Sequence, residues 1–179
     1  MAAKSHKTID GSYLKIYHPR SYDSFFRELK SLKRLNKVGS IYFPKLIAYQ
    51  DEGNKPYLQL SNCGFPVTTT TLPSDFRNQI DEISRILDYC GIEQRDASSS
   101  NLLVKDGILR FIDFGHAEVQ DQNIDGTLCD YIEEYADITM YISHYNDQLE
   151  SCSTASVKIF KTPVYNNNFF ALQNLIENL

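Results

Sequence analysis

The chain has 179 residues, enough for one domain of modest size, and 42% of them are hydrophobic, which suffices for a core. Its net charge of −5 comes without a basic stripe and disfavours nucleic acid as a partner. No apolar run reaches transmembrane length and the 4 cysteines show no CxxC spacing, so we expect a soluble, cytoplasmic protein with free thiols, no zinc site and no disulfide framework.

The N-terminal residues predict a β-hairpin. Residues 7–9 and 12–17 flank Asp10-Gly11, a dipeptide favoured in tight hairpin turns. Alternation along the second strand puts Lys15 and Tyr17 on the same face. Considered alone, Lys15 is a solvated strand lysine, because lysines are mostly exposed.

The next stretch predicts an amphipathic helix from Tyr22 to Val38, which Gly39 ends. Its apolar stripe contains Phe25, Leu29, Leu32 and Leu35. Glu28 lies on the same stripe, and a carboxylate that faces the core is costly unless it is paired. Lys15 is the candidate partner from the preceding strand. The alternative is that Glu28 lies at the edge of the stripe and reaches water.

Two further strands follow. Residues Tyr42–Tyr49 and Pro56–Leu60 are rich in strand-forming side chains and are separated by turn residues at Asp51–Asn54. They would complete a small sheet with the hairpin, and Ser61–Gly64 would lead the chain out of it.

The remaining periodic segments predict helices. Ser74 is a suitable N-cap for a helix that Gly91 ends, and an apolar face runs along it. Residues Asp130–Leu149 carry an aromatic-rich apolar stripe at helical spacing, typical of a core helix. A short C-terminal helix is predicted over Phe169–Leu179.

Three oxygen-bearing side chains stand at informative spacing between residues 94 and 115: Asp96, Asn101 and Asp113. Two apolar runs joined by Asp106-Gly107 predict a hairpin that brings Asn101 close to Asp113. Mg²⁺ takes few protein oxygens and completes its shell with water and phosphate, so these two residues predict a magnesium site. Asp96, in the loop just before, is left to orient or deprotonate a hydroxyl. The alternative is that all three residues only form turns.

Arg95-Asp96, Asn101-Leu102-Leu103 and Asp113-Phe114-Gly115, in this order, resemble the catalytic and metal-binding loops of the protein-kinase-like phosphotransferases. The usual histidine of that family is Gln94 here. The resemblance implies a single α+β domain with a two-lobed fold. Residues 1–62 would form a lobe with a small antiparallel sheet and one helix, and residues 63–179 a reduced, mainly helical lobe. The whole is similar to minimal, atypical members such as RIO-type kinases and small kinases acting on sugars or lipopolysaccharide.

The resemblance also implies roles for individual residues. Lys15, held by Glu28, would steady the α- and β-phosphates of ATP. Asn101 and Asp113 would hold Mg²⁺, and Asp96 would accept or orient the substrate hydroxyl. Backbone groups of the 61–64 crossover would bind the adenine ring. The acceptor would be a hydroxyl of a small molecule, such as a sugar, or of a protein.

The chain departs from the family pattern in three more places. Gly11 is the only glycine before Gly39, so a glycine-rich phosphate loop is missing, and phosphate cover would have to come from the Asp10-Gly11 turn or from nothing. No APE-like motif follows Gly115, and the helical platform for peptide substrates is mostly missing. Two hypotheses therefore stay open. An active ATP-dependent kinase is favoured by the retained metal ligands and catalytic carboxylate. A pseudokinase, acting as a nucleotide-binding or scaffolding module, is favoured by the missing loop and by Gln94.

Overall fold

The computed structural model describes residues 3–53, 55–120 and 163–179, which form three small antiparallel sheets and three α-helices. The α+β class is therefore as predicted. The predicted helix over Asp130–Leu149 lies outside the described residues, as do Cys129 and Cys152. None of the helices in the described ranges combines the length and apolar character that a membrane crossing requires.

The first sheet contains β1 (Lys4–Lys7), β2 (Tyr13–Ile16), β3 (Leu46–Gln50) and β4 (Tyr57–Leu60), in the order β1-β2-β4-β3. The predicted hairpin is present, but its first strand ends at Lys7, whereas residues 7–9 were expected to form that strand. The turn is wider because the Asp10 carboxylate accepts hydrogen bonds from the backbone and side chain of Ser12. The strand expected from Tyr42 starts only at Leu46, since Pro44 has no N–H for a ladder hydrogen bond.

Helix α1 spans Tyr22–Val38, with the bounds predicted from the sequence. Gly39 ends it in the left-handed conformation, at a φ of 72°, and its N–H donates to the carbonyl of Asn36 at 3.2 Å. The predicted apolar stripe is buried, and Glu28 is buried with it.

Helix α2 spans Phe76–Tyr89, and its N-cap is Asp75, so the prediction of Ser74 at that position was wrong. The Asp75 carboxylate caps no backbone N–H. It accepts instead from the side chain of Gln79 at 2.8 Å, one turn into the helix. Helix α3 spans Pro163–Glu177 and packs on α2. It begins earlier than the predicted Phe169, at a proline, which the first turn of a helix tolerates.

Five short strands surround the predicted site: β5 (Phe65–Pro66), β6 (Ile92–Glu93), β7 (Leu102–Lys105), β8 (Ile108–Phe111) and β9 (Glu118–Val119). Strands β5, β7 and β8 form one sheet in that order, and β6 pairs with β9. The β7–β8 hairpin is confirmed. Asp106 and Gly107 adopt φ angles of 54° and 75°, the left-handed pair that a tight two-residue turn requires. Strands β5, β6 and β9 were not predicted, because two residues carry no periodic pattern.

One cluster of buried hydrophobic residues connects the first sheet with the helices and the β7–β8 hairpin. Phe114, which directly follows Asp113, is fully buried in it. Its ring centroid lies 6.0 Å from that of Phe43 and 6.1 Å from that of Phe111. The core therefore fixes the backbone on both sides of the Asp113 loop.

Candidate functional site

Three charged side chains from distant parts of the chain meet beside the core. The Nζ atom of Lys15, on β2, lies 2.6 Å from Oε2 of Glu28, on α1, and 2.7 Å from Oδ1 of Asp113, after β8. The side chain of Glu28 is 1% exposed and that of Lys15 12%, whereas Asp113 is 37% exposed. The predicted pair of Lys15 and Glu28 is therefore present, and the alternative in which both reach water is wrong.

Tyr17 completes this cluster. Its hydroxyl donates to Oε2 of Glu28, the same oxygen that accepts from Lys15, and its ring packs edge-on against Phe25 at 5.3 Å between centroids. Tyr17 was not predicted to belong to the site. The strand alternation that places it on the face of Lys15 was the available signal.

Burial and charge oppose each other in this cluster. Burial raises the pKa of Glu28, and the Lys15 ammonium only partly offsets this. Burial lowers the pKa of Lys15, but the carboxylates of Glu28 and Asp113 outweigh it, so the pKa of Lys15 is raised. For Asp113, burial favours the neutral acid, but the Lys15 ammonium outweighs it and lowers the pKa. At neutral pH the site therefore presents an ammonium and a partly exposed carboxylate in direct contact.

Asp96 and Asn101 are joined within their loop. Nδ2 of Asn101 donates to both the backbone carbonyl and Oδ2 of Asp96, each at 2.9 Å. The carbonyl of Asn101 accepts from the N–H of Ile112 at 2.9 Å, so the hairpin brings Asn101 beside the segment that carries Asp113, as predicted. Within the described residues, no hydrogen bond to Oδ1 of Asn101 is found, which leaves that oxygen available to a ligand.

Gln94 ties the two loops together. Its Nε2 donates to the carbonyl of Asp113 at 2.8 Å, while its Oε1 accepts from the N–H of Asp96 at 2.7 Å. Asn168, on α3, supports this link because it accepts from the backbone N–H of Gln94 at 3.2 Å and donates to the carbonyl of Ile92 at 2.8 Å. Gln94 was expected only as a departure from the family pattern, and Asn168, which no local signal marks, was not predicted.

A cavity of about 330 Å³ adjoins this cluster, a volume within the range of small-ligand sites. Lys15, Glu28 and Asp113 line its charged end, while Leu60, Leu103 and Ile112 contribute apolar walls. The predicted 61–64 crossover also borders the cavity through Ser61, Cys63 and Gly64. The apolar walls suit a flat, apolar group, and the charged end, with one ammonium and two carboxylates, suits an anionic group that arrives together with a divalent cation.

The residues present fit a hard cation. Among the described residues, no group of three or more His, Cys, Asp or Glu side chains is placed to hold a metal ion. Mg²⁺ does not need such a group, because phosphate and water oxygens fill most of its shell. The deprotonated carboxylate of Asp113 and the available amide oxygen of Asn101 supply ligands of the required type.

No protein-family model matches the sequence, and no curated protein matches it either. The functional interpretation therefore depends on the geometry of the site. The catalytic role of Asp96, the metal roles of Asn101 and Asp113 and the phosphate role of Lys15 stay predictions.

Proposed function

We propose that the chain is an ATP-dependent phosphotransferase that transfers the γ-phosphoryl group to a hydroxyl, with a site similar to that of the protein-kinase-like enzymes. The observation that carries the proposal is the meeting of Lys15 with Glu28 and Asp113, 13 and 98 residues away along the chain, at the charged end of a ligand-sized cavity. Phosphoryl transfer asks mainly for positioning and for neutralisation of charge.

Lys15 provides the fixed positive charge for the nucleotide phosphates. Glu28 holds the ammonium in place and is itself held by the hydroxyl of Tyr17. A buried cation positioned in advance interacts with phosphate more strongly than a solvated lysine does, because it needs little reorganisation.

Asn101 and Asp113 are the residues that would hold Mg²⁺. When bound, the ion would neutralise charge on the phosphates. The hydrogen bonds from Nδ2 of Asn101 to Asp96 orient the amide so that its oxygen remains for the ion. Because Asp113 is partly exposed, its carboxylate would be able to release the Lys15 ammonium and bind the metal ion instead.

Asp96 accepts the proton of the hydroxyl group that is phosphorylated. The acceptor oxygen forms a bond to the γ-phosphorus as the bond from that phosphorus to the β-phosphate oxygen breaks, and ADP leaves. The hydroxyl proton passes to the Asp96 carboxylate and then to solvent. Gln94 fixes the backbone N–H of Asp96 and so holds the carboxylate at its place in the loop.

The substitution Asp96→Asn tests this proposal. Binding of Mg·ATP should stay nearly unchanged, because Asp96 makes no required contact with the nucleotide, while transfer should fall at least about a hundredfold. Asp106→Asn, the same change at the exposed β7–β8 turn, is the matched control and should leave transfer intact. Equal transfer rates in the parent chain and Asp96→Asn would refute the assigned role.

A nucleotide-binding module without turnover is the second candidate. The β1–β2 turn favours it over the enzyme, because the backbone N–H of Ser12 already donates to the Asp10 carboxylate and is not offered to a phosphoryl group in transfer. Labelled ATP incubated with the parent chain and a panel of sugars, lipids and proteins separates the two candidates. Mg·ATP binding with no transfer to any of them would favour the module.

A further inference from the structure

The ammonium of Lys15 already occupies the carboxylate that the proposed metal ion needs. Its Nζ lies 2.7 Å from Oδ1 of Asp113, and the same oxygen accepts from the backbone N–H of Gly115 at 3.3 Å. Both oxygens of this carboxylate lie within a few ångströms of Nζ, so a divalent cation bound to either of them would be repelled by the ammonium. Lys15 therefore competes with a cation for Asp113.

Lys15 is held in this contact through its backbone and through its side chain. Strand β2 lies between β1 and β4, where Lys15 pairs with Ser5 and Leu58, so its backbone is fixed on both sides. Its Nζ also lies 2.6 Å from Oε2 of Glu28, whose side chain is 1% exposed. A largely buried ammonium that gives up one of its carboxylates needs another partner in return. The competition therefore persists until a further anion reaches Lys15.

The cavity beside this cluster gives a phosphate group access to the ammonium. Lys15, Glu28 and Asp113 line its charged end. A free divalent cation brings no partner for the ammonium. A nucleotide brings phosphate oxygens both for the ammonium and for the cation that accompanies it. Only in the second case does Lys15 gain a partner that replaces Asp113.

We propose that Lys15 makes the site selective for the metal–nucleotide complex and excludes the free divalent cation. The proposal rests on the proposed phosphotransferase function, and it adds the form in which the nucleotide is bound and the residue that decides it. Loss of the Lys15 charge should then have two effects of opposite sign, because nucleotide binding weakens while binding of the free cation strengthens. A lysine that only holds phosphate would show the first effect alone.

Binding of Mn²⁺ to the full chain without nucleotide, followed by electron paramagnetic resonance, tests this selectivity. Lys15→Met should bind Mn²⁺ at least about tenfold more tightly than the parent chain. Adding Asp113→Asn to Lys15→Met should remove the gain, because the gain depends on that carboxylate. Lys105→Met is the matched control, because it removes an equal charge from β7 beside Gly64, which lines the cavity. At physiological salt it should change the Mn²⁺ affinity less than about twofold.

A second pair of variants covers the case that Lys15→Met fails to fold. That variant leaves the Glu28 carboxylate buried without its ammonium, which is costly. Glu28→Gln removes this charge, so the double variant of Lys15→Met with Glu28→Gln buries no unpaired carboxylate at that position. It should bind Mn²⁺ at least about tenfold more tightly than Glu28→Gln alone. Melting temperatures check that the compared variants are folded.

The outcomes separate the two proposals. If Lys15→Met and the parent bind Mn²⁺ equally, while the parent binds Mg·ATP and transfers phosphate, the selectivity is wrong and the phosphotransferase function stands. The selectivity is also wrong if Lys105→Met gains as much Mn²⁺ affinity as Lys15→Met. If Lys15→Met gains affinity that Asp113→Asn removes, but the parent does not bind Mg·ATP, the phosphotransferase function is wrong and the competition between Lys15 and a cation stands.

Discussion

Replacing Glu28 with alanine is the most direct test of the charged cluster. The change leaves the Lys15 ammonium, itself 12% exposed, without its nearest carboxylate, and the hydroxyl of Tyr17 without its acceptor. Breaking a buried ion pair from one side costs about 3–5 kcal/mol, and a buried hydroxyl that loses its partner contributes about 1–3 kcal/mol to such a loss. The carboxylate of Asp113 remains 2.7 Å from Nζ of Lys15, which limits the loss of stability. We therefore expect a total loss of about 3–5 kcal/mol.

Urea denaturation at pH 7, followed by circular dichroism, measures this loss. Arg85→Ala is the control, because the pair of Arg85 with Asp81 lies on the surface of α2, with Arg85 49% exposed, and should cost less than about 0.5 kcal/mol. Glu28→Gln retains an acceptor for Tyr17 but loses the charge, so its loss should fall between those of the other two variants. The nucleotide affinity of Glu28→Ala should fall as well, because Lys15 is no longer held.

A double-mutant cycle of Lys15→Met with Glu28→Ala decides whether the contact itself is responsible. The two changes should couple by at least about 1 kcal/mol. Additive losses, with no coupling beyond the experimental error, would refute the reasoning and return both residues to a merely structural role.

Three further predictions test the metal ligand, the cavity wall and a buried thiol. Asp113→Asn keeps the shape of the side chain but removes its charge. Mg²⁺-dependent nucleotide binding, measured by calorimetry, should therefore weaken at least about tenfold, and phosphoryl transfer should vanish. Unchanged transfer would exclude Asp113 as a metal ligand. Gly64→Ala should lower the free energy of unfolding, measured by urea denaturation, by more than about 2 kcal/mol, because its Cβ would lie 2.1 Å from the Val104 carbonyl oxygen at a φ of 94°. Gly107→Ala, whose Cβ would meet no atom within 4 Å, should lower it by only about 1 kcal/mol. Equal losses would contradict the close approach at Gly64. Burial raises the pKa of Cys90 to about 12 from 9.0, so above pH 9 the folded chain holds a proton that the unfolded chain releases, and this thiol alone should lower the free energy of unfolding by about 1.4 kcal/mol per pH unit. Urea denaturation at pH 8 to 10 should show a shallower slope in Cys90→Ala than in the parent, with the remainder from Cys63, whose pKa burial also raises; equal slopes would contradict the role of Cys90.

The sequence by itself determined the local elements and part of the site. The stripe of α1 and its glycine stop predicted both ends of that helix, and Asp106-Gly107 predicted the β7–β8 turn, because helical periodicity and left-handed turn residues act within a few neighbours. The pair of Lys15 with Glu28 was also predictable, since a carboxylate on an apolar stripe needs a partner.

Only the tertiary structure decided which loops and cavities these elements form. The contact of Lys15 with Asp113, the link that Gln94 makes between two loops and the support from Asn168 all join residues far apart in the chain. A glutamine or an asparagine gives no periodic pattern in the sequence that would identify such a distant partner. Its neighbours are set by how α3 packs on α2 and how one core holds both sheets, and these are long-range contacts whose geometry no local pattern contains.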